Sequence, residues 1–399
     1  MKPVKMALIG SGNISYTYLN TLTRGGFFIA DMVGCSDLIP ERSASRAKTF
    51  GIKQMSNDEI LSDPEIEIVL NTTQATSHHE VSKMILEAGK HVYSEKALDT
   101  SFEKAKELYE LAAKKGLRIG AAPDCYMGSA YQTARKLIDD GWIGTPLFAH
   151  AFCYRGYSAH ERASEPENPN FGAKGTTIHH DMSGYYLNAL INLLGPVNRV
   201  SGFARPFEAR NYTNPKHLDY KNPVKTGTGP TLSMGLLEFC SGSYASVTMT
   251  SEGMGPEIPR VEIFGTAGNL RLPDPNCFGG WGNDVYITRI GSNESFKIPF
   301  THAFSDTDPS EPPISDRGWE ACQNSWRGIA VVDMAWALRR NRPHRSAAEL
   351  ALHAVEIADA IITSGETNKT INLSTKPERP APLAHGLMGA SKELSIDSF

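Results

Sequence analysis

The rhythm of apolar positions changes near residue 122. Before it, short apolar runs alternate with segments whose apolar residues recur every three or four positions. Residues 4–9 form a compact apolar run backed by glycines and read as a buried strand. Residues 13–24 set Ile14, Tyr18, Leu19 and Leu22 at helical spacing and stop at Gly25-Gly26. The same reading predicts strands over 29–36, 66–72, 90–94 and 118–121, and helices over 41–50, 77–88 and 100–116. Thr100 and Glu103 stand at capping-box spacing ahead of the last helix. Strands alternating with helices in this way predict right-handed βαβ units and a parallel sheet.

Beyond residue 122, helices are predicted near 128–140 and 178–194. Strand patterns then succeed one another over 197–204, 232–239, 243–252, 260–265 and 285–290, as in an antiparallel sheet. Helical spacing returns near 316–341 and 347–364, and from residue 372 Pro377, Pro380 and Pro382 predict an extended tail. A length of 399 residues suits two domains. The boundaries drawn are 1–122, 123–372 and a tail over 373–399.

Composition narrows the function classes. Hydrophobic residues make up 40% and charged residues 21%, an ordinary globular balance. A net charge of -4 supplies no basic field for nucleic acid or an anionic membrane. The basic cluster Arg339, Arg340, Arg342, His344 and Arg345 reads as a solvated helix end. The six cysteines include no CxxC pair, so neither a zinc site nor a redox dithiol is expected. With no leader pattern and no membrane-length apolar stretch, a cytoplasmic protein with reduced thiols is expected.

Gly10-Ser11-Gly12-Asn13-Ile14-Ser15 lies between a predicted strand and a predicted helix. The first glycine permits the tight turn, the second lets backbone approach a pyrophosphate, and Ser15 is small where helix meets strand. The helix start then offers free N–H groups to phosphate. Asp37 ends the second strand, where a carboxylate accepts hydrogen bonds from ribose hydroxyls and disfavours a 2′-phosphate. This pattern predicts a Rossmann domain that binds NAD, while nearby Arg42 leaves NADP open.

Several segments in order resemble the Gfo/Idh/MocA oxidoreductase family over roughly residues 4–372. They are the turn ending at Gly12, Cys35-Ser-Asp37 with Pro40-Glu41-Arg42, Leu86-Glu-Ala-Gly-Lys-His-Val92 and Ser94-Glu95-Lys96-Ala97. The segment 137–144, Asp181-Met182-Ser183 and Leu193-Leu-Gly195 complete the series. The resemblance implies an α/β Rossmann domain with a parallel sheet, followed by an α+β domain on a largely antiparallel open sheet. It puts the active-site lysine at Lys96 and an aspartate at Asp181. The chain departs from the family where Ala97 replaces a proline, where Tyr185 stands in place of a catalytic histidine, and at Pro123-Asp124.

Asp181 and Tyr185 are four residues apart and share a helix face, with Asn188 continuing the stripe. Met182, Tyr186, Leu190 and Leu193 form the apolar face beside it. Tyr185 is read as the proton acceptor and donor, with Lys96 lowering its pKa or stabilising a developing alkoxide, and Asp181 orienting substrate or lysine. His180 and Lys96 remain alternative bases. His179, His180 and Asp181 lack a converging partner, so no metal is expected. The cofactor set is Gly10, Gly12, Asn13, Ile14, Asp37, Thr73, His78, Glu95 and Lys96. Asp124, Tyr126, Tyr157, His160 and His180 are candidate substrate contacts, with Arg155 in the same polar loop as Tyr157 and His160.

The leading expectation is an NAD-dependent dehydrogenase of a sugar, cyclitol or sugar acid. Two other readings fit the same residues: a glycoside-cleaving enzyme working by transient oxidation and elimination, and a non-catalytic nucleotide-binding regulator. An open sheet needs cover, and a homodimer or homotetramer is expected.

Overall fold

A computed structural model describes residues 1–154, 177–206, 229–251, 260–280, 282–306 and 325–385. The first domain holds β1 (Val4–Ile9), α1 (Ser15–Arg24), β2 (Ala30–Ser36), α2 (Pro40–Phe50), β3 (Lys53–Gln54) and α3 (Asn57–Ser62). It continues with β4 (Ile66–Asn71), α4 (His78–Glu87), β5 (His91–Ser94), α5 (Phe102–Lys115) and β6 (Ile119–Ala121). The sheet order is β3-β2-β1-β4-β5-β6, and its pairs are parallel. Val4, Met6 and Leu8 of β1 join one core cluster, whereas Ala7 and Ile9 join another. The strand is therefore buried on both faces, as its unbroken apolar run requires.

The second domain begins with α6 (Ser129–Asp139), β7 (Pro146–Tyr154) and α7 (Ile178–Leu194). There follow β8 (Val197–Arg205), β9 (Leu232–Phe239), β10 (Tyr244–Thr250), β11 (Val261–Gly265), β12 (Gly268–Leu272), β13 (Val285–Arg289) and β14 (Ser295–Ile298). Then come α8 (Ile329–Arg340), α9 (Ala348–Thr367) and β15 (Ile371–Asn372). The nine strands run β14-β13-β12-β11-β7-β10-β9-β8-β15, antiparallel except for the β7–β10 pair. One face packs on helices: a Cβ on Gly235 would sit 2.7 Å from Ile361 of α9, so glycine there permits the helix's close approach. The other face carries Phe203, Met234, Leu236 and Tyr244 exposed.

Several sequence expectations need correction. The central strand β7 escapes the apolar pattern because its inward residues Ala149, Ala151 and Cys153 are small, while the large Leu147 and Phe148 near its start are exposed. The capping box expected at Thr100 and Glu103 does not form. Ser101 is the N-cap; its N–H donates to Asp99, and the Phe102 N–H donates to Asp359 of α9. A capping box does form at Ser56 and Glu59, at the start of the unpredicted α3. The helix expected over 316–341 is described from Ile329, and 307–324 lie outside the described residues.

The expected boundary at 122 is crossed by later chain. Ala348, Ala351 and Leu352 of α9 pack in a core cluster with first-domain residues, and the Ala121 N–H donates to the Ser346 carbonyl. The basic cluster is not a solvated end: Arg342 and Arg345 both pair with fully buried Asp333. The start of the tail is anchored too. Arg135 donates to the Pro380 carbonyl and the Leu383 N–H donates to Gln132 Oε1.

Candidate active site

The phosphate turn forms because Gly10 takes φ +102, a conformation that glycine alone adopts readily. A Cβ there would lie 2.6 Å from the Thr73 nitrogen, so the end of β4 closes on the turn. At Gly12 an added Cβ would meet no atom within 4 Å, which is the open approach a pyrophosphate needs. Asn13 and Ile14 lead into α1, whose first turn holds no acidic residue. Asp37 accepts the Ser11 N–H at 2.7 Å and the Ile39 N–H at 2.8 Å. That fixes its carboxylate beside the turn, with further lone pairs for ribose hydroxyls. These residues fit a bound dinucleotide, which supplies the hydride acceptor when present. Arg42 is exposed. Arg46, unmarked by any motif, is the cation at the turn: it donates to Ser15 Oγ and to the Gly12 carbonyl.

Lys96 follows β5 at the carboxyl edge of the same sheet. Its Nζ donates to Asp181 Oδ1, and Asp181 lies in the first turn of α7. The pair is partly exposed and joins the two domains. Behind it, Glu95 accepts the Tyr18 hydroxyl at 2.7 Å and the Lys96 N–H at 2.9 Å. His78 Nδ1 lies 2.8 Å from the Ala97 carbonyl and Nε2 lies 3.1 Å from the Thr73 carbonyl. Burial lowers the His78 pKa, while the two backbone carbonyls at its ring nitrogens pull the other way. His78 and Glu95, both expected to meet the cofactor, hydrogen-bond the scaffold that sets Lys96. Thr73 donates its hydroxyl to Asn71 at 2.6 Å.

Tyr185 is buried one turn along α7. Lys96 Nζ lies over its ring, 5.7 Å from the centroid, rather than at the hydroxyl. The cation at the phenol oxygen is Arg327, whose Nη1 donates to it at 3.0 Å. Burial pushes the phenol pKa well above its usual range, and the Arg327 charge pulls it back. The expectation that Lys96 serves this role is thus corrected. Arg327 was missed because it stands alone before an apolar run, with no motif around it. Asn188, expected to continue a stripe along a cleft, is buried.

Two proposed substrate contacts lie in the interior. Asp124 Oδ2 accepts the N–H groups of Gly328 and Ala330, capping α8, and burial pushes its pKa up to about 6. Tyr126 is buried and donates to the Arg345 carbonyl. His179 packs against Ser233 and the Ala358 carbonyl, while His180 is partly exposed beside it. The histidines and Asp181 thus face different partners. Arg155, Tyr157 and His160 lie outside the described residues.

Two family models match in order along the chain. Residues 4–122 match an oxidoreductase family with an NAD-binding Rossmann fold, and residues 131–271 match the GFO/IDH/MocA C-terminal domain. The chain belongs to the Gfo/Idh/MocA oxidoreductase family. It is an NAD-dependent oxidoreductase. Inositol 2-dehydrogenase 3 of Saccharopolyspora erythraea is 27% identical over 84% of this chain and 91% of that protein. The scyllo-inositol 2-dehydrogenase (NAD(+)) of Bacillus subtilis is 27% identical over 67% of this chain and 73% of its own. A solved levoglucosan dehydrogenase, in complex with NADH and levoglucosan, shares the fold with TM-score 0.72 and 20% identity. That match covers 94% of this chain and 100% of the other. Among the described residues no helix is long and apolar enough to cross a membrane.

Proposed function

We propose that this family member oxidises a secondary alcohol of a polyhydroxylated small molecule (a cyclitol, sugar or sugar acid) with NAD. The observation that carries the reading is the Lys96–Asp181 pair, which ties the edge of the NAD-binding sheet to the start of α7. Lys96 hydrogen-bonds the reacting hydroxyl and stabilises the alkoxide as it develops. Asp181 holds the ammonium in place. Tyr185 exchanges the hydroxyl proton, standing where the family has a histidine. The substrate class rests on relatives named as inositol dehydrogenases.

The exposed face of the second sheet is the proposed contact of a homodimer or homotetramer. Phe203, at 72% exposure, and Leu236, at 65%, are the kind of apolar surface that a partner covers.

The test is a panel of inositols, sugars and sugar acids with NAD and with NADP, followed at the reduced-nicotinamide absorbance. NADH formed with a polyol is the expected result. Glycoside cleavage without net NADH would replace this reading with oxidation and elimination. No turnover with any compound would favour a nucleotide-binding regulator.

A further inference from the structure

The geometry points to Arg327 as a positioning residue for Tyr185: its guanidinium takes one lone pair of the phenol oxygen, directs the phenol proton away, and supplies a fixed counter-charge to the phenolate. The inference rests on the reading of Tyr185 as the proton-exchanging group, and it deepens that reading.

Three observations carry it. First, Arg327 is itself buried and held from both sides. Its Nη1 donates to the Tyr185 oxygen at 3.0 Å, and its Nη2 donates to Asn276 Oδ1 at 2.6 Å. The planar fork therefore bridges α7 and the loop after β12, which a flexible ammonium would not do as rigidly. Second, the Tyr185 hydroxyl donates to no acceptor among the described residues. With a cationic N–H already bound, its own proton is left for a molecule beside the Lys96–Asp181 pair. Third, the backbone that delivers Arg327 is pinned. Trp326 packs on Phe27 and Phe304 with centroids 6.1 and 5.4 Å away, and its indole N–H donates to the Ser305 carbonyl at 2.8 Å. On the other side, Asp124 accepts the Gly328 N–H at 2.8 Å.

Among the described residues, the groups acting on the phenol come from several elements. Arg327 approaches from ahead of α8, Glu95 from behind β5, Cys125 from the turn after β6, and Asp181 from α7 itself, while Lys96 lies over the ring. Arg327 is the cation in contact with the oxygen. A guanidinium stays charged at every working pH, so its effect does not titrate away.

The proton balance is simple. In oxidation a bound nicotinamide would accept the substrate's hydride, and the O–H proton would pass to the phenolate oxygen of Tyr185, leaving C=O. The phenol then returns its proton to solvent. In reduction the neutral phenol donates, and Arg327 steadies the phenolate left behind.

The test needs no substrate. The full chain, with NAD added, is labelled with 3,5-difluorotyrosine, whose more acidic phenol brings ionisation into reach. The fourteen tyrosines are resolved by fluorine NMR, and Tyr185 is assigned from the signal lost in Tyr185→Phe. Arg327→Gln is expected to raise the Tyr185 midpoint by about one pH unit or more, as loss of a contacting opposite charge does. Arg327→Lys keeps the charge and is expected to retain most of the wild-type midpoint, which guards against a folding defect in the first variant. Equal midpoints in wild type and Arg327→Gln would overturn the inference. So would equal displacement in the Gln and Lys variants, which marks a purely structural role. The Tyr185 reading fails separately: Tyr185→Phe would then turn over a substrate from the panel at the wild-type rate, whatever Arg327 does to the phenol.

Discussion

The two domains reach the same site by different physical means. The first builds its share mainly from backbone at strand ends: the Gly10 turn, the open approach over Gly12, and a lysine set by contacts to its own peptide. The second builds its share from side chains brought together over long stretches of sequence. Arg327, Asn276 and Tyr185 come from three separate segments, and Asp124 caps a helix 204 positions away. Backbone sites follow local turn rules. Side-chain sites exist only once packing has chosen their neighbours.

The contrast breaks first at the residue where the domains meet. Lys96→Met is expected to lower kcat/KM by about 10²–10³, the usual loss when a donor to a developing oxyanion is removed. NAD affinity, measured by tryptophan fluorescence or calorimetry, should stay within a few-fold, because the phosphate turn is untouched. Loss of NAD binding and turnover together would mean that the lysine serves the cofactor side instead.

Acid should sharpen the contrast by loosening the second domain before the first. His179 sits buried with its pKa down at about 3, and His302 and His353 are pushed down to about 4, in each case chiefly by burial. His353 Nε2 accepts the Val197 N–H at 2.9 Å, a bond that protonation would remove. The unfolded histidines take up protons below pH 6.5, and the folded ones do so only near 3–4. Stability is therefore present above 6.5 and is lost as pH falls toward the folded values. The slope approaches about 1.4 kcal/mol per pH unit for each histidine. Asp124 works the other way. Its folded pKa of about 6 stands above the ordinary 3.8, so its contribution is lost as pH rises through 6. In the first domain His91 of β5 is also pushed down to about 4 by burial, so such histidines number three in the second domain against one in the first, and with Asp124 alone opposing them the net expectation is falling stability from pH 6.5 to 4.5. Hydrogen exchange at pH 5 should show α7 and α9 opening ahead of β1 and β4. The reverse order would refute this account.

The smallest catalytic effect is expected on the open face of the second sheet. Leu236→Lys should shift the sedimentation of the protein toward the monomer while leaving its melting temperature nearly unchanged, because the residue already faces out. An unaltered oligomer would place the contact elsewhere.

Much of the first domain was legible because its rules are local. A buried parallel strand needs an apolar run, and a turn against phosphate needs glycine. The Asp181 and Tyr185 spacing likewise announced a shared helix face. The failures have one cause. Thr100 and Glu103 had the right spacing for a cap, but Asp359 of α9 takes the Phe102 N–H instead. The inward residues of β7 are small, so the strand lost its apolar signature. Asp124 and Tyr126 looked like ligand contacts and proved to be buried partners of α8 and Arg345.

By itself the sequence determined the alternation of strand and helix and the nucleotide turn, since each depends on residues near one another in the chain, whereas Lys96 and Asp181, 85 positions apart, were singled out by the family resemblance and met only in the fold. Only the tertiary structure decided which cation meets Tyr185. Lys96 and Arg327 are equally charged in the sequence, and their roles diverge because a side chain's effect falls off with distance and direction. One lies over the ring and the other touches the oxygen.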